Sequence, residues 1–564
     1  MNTLTKLKLI YRILRWRMTW DKRDTHYVHR VAGNPKFMGP REAIGLICDG
    51  DFVAVSGLGG NQHTTIFHWT MKELFEETGH PRNLTIMPIG GQGGRGKVPG
   101  TVDELGIEGL TRRFITGHHE TFKNFLRLGD AGKVELQCIP QGTLALLLDA
   151  QTRGEDSVLV STGVGTVFDP SIGRGTPLTP GGEQLAAREG DKIRYRIPKV
   201  NVALINAPAA DARGNIYMKN TSMLAESREI AVAARRNGGK VIIVVGKEVN
   251  DGYDEVYLPS DAVDAIVVYP DAGQTMSRKH TNPWLALTTH SDIGVLDAYE
   301  QMRFVNRVIG VTPRRTPVDE AMARLAASVF AEQVPAGALV NIGTGLPEEV
   351  CRTLVESGLL NKLTFFTESG VVGGLPGPGV FFGAAACPEY MISSAEIFKK
   401  AHRELDVTIL GTLQIDSLGN VNVSKRGPKI TDYVGPGGFI DFSTSAKTVL
   451  FVGNWMAHGE MHIENGRLKI ANQGKPKFIN TVDEITFCGP EALLAGRKVF
   501  YITPVGVFRL TEHGIELLKV MPGVDIKKDI LNYATARIVL PSAGKVTEVD
   551  ASIVTGQGFR LQMR

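Results

Sequence analysis

Thr367-Glu368-Ser369-Gly370 sets a carboxylate at the end of an apolar run, Leu363 to Phe366, directly before a glycine. Glycine there lets a ligand approach the backbone, and little side chain shields the carboxylate. A carboxylate in such a place is a candidate nucleophile. Other chemistry-bearing patterns fail on context. Gly91-Gln-Gly-Gly-Arg-Gly96-Lys97-Val98 looks like a phosphate loop, but Val98 stands where Ser or Thr is needed, and Pro99-Gly100 follow where a helix should open. His458-Gly-Glu-Met-His462 departs from the HExxH pattern and reads as two surface histidines. No G-x-S-x-G elbow is present.

Glu368 needs a scaffold, and the chain is long enough for two large domains at 564 residues. With 43% apolar and 22% charged residues, it has the composition of a globular protein. The five cysteines (Cys48, Cys138, Cys351, Cys387, Cys488) are scattered and form no C-x-x-C. Neither a disulfide framework nor a metal site is expected, and a reducing, cytoplasmic location fits best.

Internal similarity gives the scaffold its form. Asp51-Phe-Val-Ala-Val-Ser-Gly57-Leu-Gly59 matches Gly337-Ala-Leu-Val-Asn-Ile-Gly343-Thr-Gly345, and Leu84-Thr-Ile-Met-Pro-Ile-Gly90 matches Leu363-Thr-Phe-Phe-Thr-Glu368-Ser. The latter pairs Glu368 with apolar Ile89. Val202-Ala-Leu-Ile-Asn followed by Asp211-Ala-Arg-Gly214-Asn215 matches Val407-Thr-Ile-Leu-Gly followed by Asp416-Ser-Leu-Gly419-Asn420. Val241 to Gly246 and Val449 to Gly453 follow in the same order. Two homologous α/β domains with open, mostly parallel sheets are predicted, in tandem. Their bounds are 37–311 and 318–552, with the Pro/Arg-rich stretch 312–317 as linker. Val318 to Gln333 has helical periodicity, with Ala321, Leu325, Ala326 and Val329 inward. Ligands belong at strand C-terminal ends, which makes Gly59 and Gly345 candidate substrate contacts. The offset between matches falls from 279 to 205, leaving the first half 74 additional residues. These include Ile139-Pro-Gln141-Gly-Thr-Leu and Ser161-Thr-Gly-Val-Gly165-Thr, expected as substrate loops.

At these motifs the chain resembles the family I coenzyme A transferases in their single-chain, fused form, over about 37–552. Thr367-Glu-Ser-Gly370 is similar to the family's S/T-E-N/S-G motif, which implies that Glu368 forms a covalent thioester with CoA. Ile139-Pro-Gln-Gly-Thr-Leu-Ala145 resembles the first-half P-Q-G-T-L-A segment and makes Gln141 a substrate-pocket candidate. Val434-Gly435-Pro-Gly437-Gly438-Phe439 resembles the glycine loop that faces the glutamate. Gly435, Gly437 and Gly438 are therefore expected to bind CoA and the oxyanion. Ser369 in place of asparagine resembles the acetate and propionate branch and favours short-chain acyl substrates. The first-half segment Gly57-Leu-Gly-Gly60-Asn-Gln-His63 departs from the family's G-G-F-x-x-x-G-x-P.

The resemblance implies ping-pong transfer of CoA from an acyl-CoA to a carboxylate acceptor. CoA is then a substrate and transient adduct, and no metal, redox cofactor or nucleic-acid partner is implied. An acyl-CoA hydrolase on the same scaffold and a non-catalytic CoA-ester-binding subunit are the rival readings. A homo-oligomer, dimer or tetramer, is expected.

Residues 1–36 stand outside the duplication. Within 1–23 lie seven basic residues and one acid, Asp21, so this segment carries +6 in a chain of net +4. Leu4, Leu7, Tyr11, Leu14 and Met18 recur at helical spacing opposite Lys8, Arg12 and Arg15. The pattern predicts a basic amphipathic helix that docks on its own body or an oligomer partner, lies on a membrane surface, or serves as an organelle presequence. It is expected to be dispensable for chemistry.

Overall fold

The computed structural model describes residues 1–94, 98–542 and 544–563; Gly96 and Lys97 of the rejected phosphate loop lie outside them. The first sheet is built from β1 (Phe52–Val55), β2 (Leu84–Pro88), β3 (Thr111–Thr116), β4 (Glu135–Cys138), β5 (Val202–Asp211), β6 (Lys240–Val249) and β7 (Ala265–Val268). These seven are all parallel, in the order β7-β6-β5-β1-β2-β3-β4. The second sheet contains β8 (Ala338–Ile342), β9 (Leu363–Phe366), β10 (Val407–Gly411), β11 (Thr448–Val452) and β12 (Lys498–Thr503), parallel in the order β9-β8-β10-β11-β12. Antiparallel β13 (Gly506–Thr511) and β14 (Gly514–Val520) extend it. The strands are short apolar runs buried along almost their whole length, as parallel strands covered on both faces must be.

The duplication is physical. β2-β1-β5-β6 and β9-β8-β10-β11 occupy equivalent places, and the chain reverses its direction of progress beside β1 and β8. The Asp-x-x-Gly-Asn turns recur atom for atom. Asp211 accepts from the Arg213 and Asn215 amides, each at 3.0 Å, and Asp416 accepts from Leu418 and Asn420, also at 3.0 Å. Asp211 also takes the Tyr217 hydroxyl at 2.7 Å.

The helices that matter for the site are α1 (Thr3–Thr19), α2 (Thr65–Thr78), α3 (Gln141–Thr152), α4 (Ser227–Arg236), α5 (Val295–Val308), α6 (Pro317–Gln333), α7 (Leu346–Glu356), α8 (Ser394–Glu404) and α9 (Phe439–Ser445). In α6, Ala321, Leu325, Ala326 and Val329 are buried as their spacing requires, and Thr316 caps it by accepting from the Asp319 amide. Helix α3 is apolar on every side and almost wholly buried because it is sandwiched between the halves, touching α4 in the first and α8 and α9 in the second. No helix among the described residues is long and apolar enough to cross a membrane.

Two expectations change and a third is narrowed. The boundary at 312–317 falls after the chain has already crossed over: α5 packs against the second half, where Asn306 donates to the Pro378 carbonyl at 2.7 Å and accepts from the Val380 amide at 3.0 Å. Of the additional residues of the first half, those beyond α3 form a three-stranded antiparallel sheet of residues 157–160, 186–189 and 192–196. Its Gly165 turn abuts Cys488 and Glu491 instead of a ligand space, so this part braces the second half. Helix α1 docks through Leu9 and Ile13, which are buried against the body. The predicted stripe faces outward, with Leu4, Leu7, Tyr11, Leu14 and Met18 all between 57% and 69% exposed.

Asp211→Ala should lower protein stability by about 1–3 kcal/mol, because it leaves buried donors unsatisfied. A fall in the urea unfolding midpoint at neutral pH is the expected reading; an unchanged midpoint would show that the turn is not a keystone of the first sheet.

Candidate active site

Glu368 leaves the end of β9 on a tight turn. Gly370 adopts φ +88°, and a Cβ there would collide with the Ile392 carbonyl, so the turn requires glycine. The turn is pinned from both sides. Thr367 Oγ1 donates to the Gly383 carbonyl at 2.8 Å, Ser369 Oγ donates to the same oxygen, and the Ala225 amide of the first half donates to the Ser369 carbonyl at 3.1 Å. The Glu368 side chain is half-buried and opens on a chamber of about 600 Å³ between the two sheets.

Strand ends of both halves line that chamber: Gly59 and Gly60 after β1, Gly343 and Thr344 after β8. It therefore lies at the C-terminal ends of the two strands where strand order reverses. His63 holds the first loop through a 2.7 Å contact between its Nε2 and the Gly59 carbonyl.

The glycine loop 435–438 closes on the same space. Its position is set by backbone pairing to the first half: the Gly437 amide donates to the Gly117 carbonyl at 2.7 Å, the Gln141 amide to the Gly437 carbonyl at 3.0 Å, and the His119 amide to the Val434 carbonyl at 2.7 Å. These bonds reassign the expected donors. Gly437 is committed to Gly117, and the Gly435 amide donates to Ser424 at 3.2 Å, so neither N–H is available to a ligand. The Gly438 amide has no hydrogen bond among the described residues. Its backbone lies so near the carboxyl that a Cβ would stand 2.9 Å from Glu368 Cδ.

Gln141 opens α3 and lines the chamber with Glu368, where its side-chain amide favours the Glu368 anion. Behind them lies a residue that the sequence reading missed, Asp441 on α9. It is fully buried, its Oδ2 accepting from the Gly142 amide at 2.9 Å. Burial pushes the Glu368 carboxyl up to about 8; the neighbouring Asp441 charge pushes the same way, and the Gln141 hydrogen bond opposes both. Asp441 is itself raised to about 7 by burial, against the Gly142 and Thr143 amides that favour its anion. An acid three residues after a glycine loop carries no mark of its own in sequence; only the fold sets it beside Glu368.

Gly59, Gln141 and the glycine loop converge on Glu368 as expected. Gly345 does not. It opens α7, with its carbonyl accepting from Arg315 at 2.9 Å, and Gly343 and Thr344 face the chamber in its stead. Further residues lining the chamber are His118, Phe382 and Arg426, the last paired with Glu120 across the halves. Trp16, Arg17 and Trp20 also line it, so the end of α1 forms a wall of the chamber, a place that sequence alone did not give this helix. His458 and His462 are exposed on the surface, as read.

Comparison with known proteins agrees with this geometry. The profile of the family described as "Coenzyme A transferase" matches residues 37–269. A caffeate CoA-transferase of Acetobacterium woodii is 30% identical over 513 residues, 88% of this chain and 93% of the relative. The acetate CoA-transferase YdiF of Escherichia coli K12 is 29% identical over 94% of this chain and 98% of its own length. The apoenzyme structure of the acyl-CoA transferase YdiF from E. coli O157:H7 superposes with a TM-score of 0.81 at 27% identity, covering 95% of this chain and 99% of that one. A thioester complex of the same enzyme with CoA gives 0.79 at 26% identity, covering 93% and 97%. With whole-length similarity spanning both halves, the chain belongs to the coenzyme A transferase family.

Proposed function

We propose that this protein transfers coenzyme A between a short-chain acyl-CoA and a carboxylate acceptor, with Glu368 as the covalent nucleophile. The observation that carries the reading is a carboxylate facing a chamber between the halves, beside an uncommitted glycine amide and the Gln141 side chain. The relatives named for acetate and caffeate are CoA-transferases, and the solved thioester complex supports a thioester route.

The ionised Glu368 attacks the thioester carbonyl of the acyl-CoA. The tetrahedral intermediate expels CoA thiolate and leaves an acyl-glutamyl anhydride. Thiolate then attacks the glutamyl carbonyl, the carboxylate departs, and Glu368 holds CoA as a thioester. A second carboxylate runs the sequence in reverse. Each tetrahedral oxyanion needs a preorganised donor, a role assigned here to the Gly438 amide, while Gln141 orients the carboxylate. Metal and redox cofactors take no part in these steps; CoA is substrate and transient adduct. A hydrolase would let water take the glutamyl thioester, so an absolute requirement for a carboxylate acceptor separates the two.

The outward row Leu4, Leu7, Tyr11, Leu14, Met18 repeats with the seven-residue spacing of a helix–helix seam, which supports a homo-oligomer joined there over contact with a membrane surface. Leu7→Asp with Leu14→Asp should lower the sedimenting mass; an unchanged mass removes this row from any interface.

Glu368→Asp withdraws the carboxylate by one methylene and should lower transfer about 10²-fold, while Glu368→Ala abolishes it. Gly438→Ala should lower turnover by roughly 10²- to 10³-fold, since its methyl fills the space against Glu368 Cδ. Full activity in Glu368→Ala would contradict the mechanism. A pH dependence follows from the same carboxyl. Attack needs the anion, so kcat/KM for acyl-CoA should fall on the acid side of about 8. Asp441→Asn removes a like charge and should move that limb to lower pH; a limb that stays in place would show that Asp441 does not tune Glu368.

A further inference from the structure

The Glu368 chamber continues past α1. Sharing Trp16, Trp20, Gly60 and Met276 with it, an open groove of about 820 Å³ runs between α1 and the 269–282 segment of the first half. Six cations line this groove against a single carboxylate. Lys8, Arg12 and Arg15 come from α1 and Lys22 from the turn after it; Arg278 and Lys279 stand opposite, with Asp271 paired to Lys279. Among the described residues no carboxylate pairs with Lys8, Arg12, Arg15 or Lys22, whereas neighbouring Arg23 is taken by Glu73 at 2.8 Å. Rings lie among the cations. Trp16 and Trp20 meet edge to face at 5.4 Å, with Arg17 stacked 4.5 Å over Trp20, and Trp69 and Tyr269 line the floor.

A lone carboxylate acceptor could use only a small part of so much positive charge. A ligand that joins several phosphates to a flat base matches it better, since guanidinium and ammonium groups take phosphate oxygens and indole faces stack on bases. We propose that α1 and the Arg278–Lys279 segment hold the nucleotide phosphates and adenine of the coenzyme ester, its pantetheine arm passing Trp16 and Trp20 to reach Glu368. This rests on the CoA-transfer reading of the chamber and adds a task for the N-terminal helix. While CoA is tethered to Glu368 and carboxylates exchange, the nucleotide stays anchored outside the chamber and leaves the space at the carboxyl to the exchanging acids.

The test compares full-length wild type with the double variant Arg12→Gln/Arg15→Gln. The KM for acyl-CoA should rise roughly ten- to a hundred-fold, the effect of losing charge-assisted hydrogen bonds. The KM for the matching S-acyl-pantetheine, which lacks the nucleotide, should stay within about twofold of wild type on the same reasoning. Adenosine 3′,5′-bisphosphate, titrated calorimetrically, should bind wild type, weaken in the double variant and recover in Arg12→Lys/Arg15→Lys. An unchanged KM for acyl-CoA overturns the proposal. So does an equal rise for the pantetheine thioester, which would mark α1 as a structural prop, or a rise confined to the carboxylate, which would make the groove an acceptor site. The nucleotide titration needs no turnover, so it reads the groove even if wild type fails to transfer CoA and the underlying reading falls.

Discussion

Two backbone hydrogen bonds, from the Gly437 amide to the Gly117 carbonyl and from the Gln141 amide to the Gly437 carbonyl, hold the halves together where the chemistry is assembled. Glu368 and the glycine loop come from the second half, Gln141 from the first. None of the three has a neighbour on its own segment that would fix the others. The pair of bonds runs both ways through one residue, so sliding one half against the other breaks both at once. Because a displacement of ~1 Å at reacting atoms is enough to cost ~10²-fold in rate, this pairing is the constraint on which the site depends. The buried α3 helix and the bond from the Gly142 amide to Asp441 extend the same join into the core.

That join encloses two carboxylates that repel and are both poorly solvated. Their raised values mean that the folded chain retains protons which the unfolded chain releases. The stabilising contribution of Glu368 and Asp441 is complete below the ordinary carboxylate range and is lost as pH rises through about 7 and about 8. The remainder of the fold opposes this strain with carboxylates of the opposite kind. Burial favours the neutral form of Asp211, but hydrogen bonds from Asn215, Tyr217 and the local amides outweigh it and depress its value. Its contribution is present above the unfolded value and lost as pH falls. The Asp211 turn stabilises the folded anion while the site destabilises it, and a carboxylate so destabilised is a stronger nucleophile once ionised.

The two-sheet architecture was legible because parallel strands buried on both faces are written as apolar runs, and four such runs recur in one order. Glu368 was legible because its duplicate is apolar Ile89, so the carboxylate has no role in the shared scaffold. The errors arise where one-dimensional patterns do not decide direction. Gly345 and Gly343 stand two residues apart after β8, yet only the start of α7 settles which one faces the ligand. Gly437 and Gly438 look alike, but one amide is consumed by Gly117. Helix α1 carries apolar residues on two faces. The longer stripe, Leu4 to Met18, leaves open what it faces; Leu9 and Ile13 are what the helix buries, which turns Trp16 and Trp20 toward the chamber. Asp441 was invisible because its role depends on a neighbour 73 positions away in the chain.

The central claim is that CoA becomes covalently attached to Glu368. Incubating the protein with an acyl-CoA in the absence of any acceptor, digesting it and measuring the mass of the peptide that carries Glu368 tests this most directly. The account predicts that this peptide gains the mass of CoA joined as a thioester, that borohydride converts the modified glutamate to the corresponding alcohol, and that adding a carboxylate removes the adduct as new acyl-CoA forms. An unmodified Glu368 peptide under conditions in which the enzyme transfers CoA would contradict it.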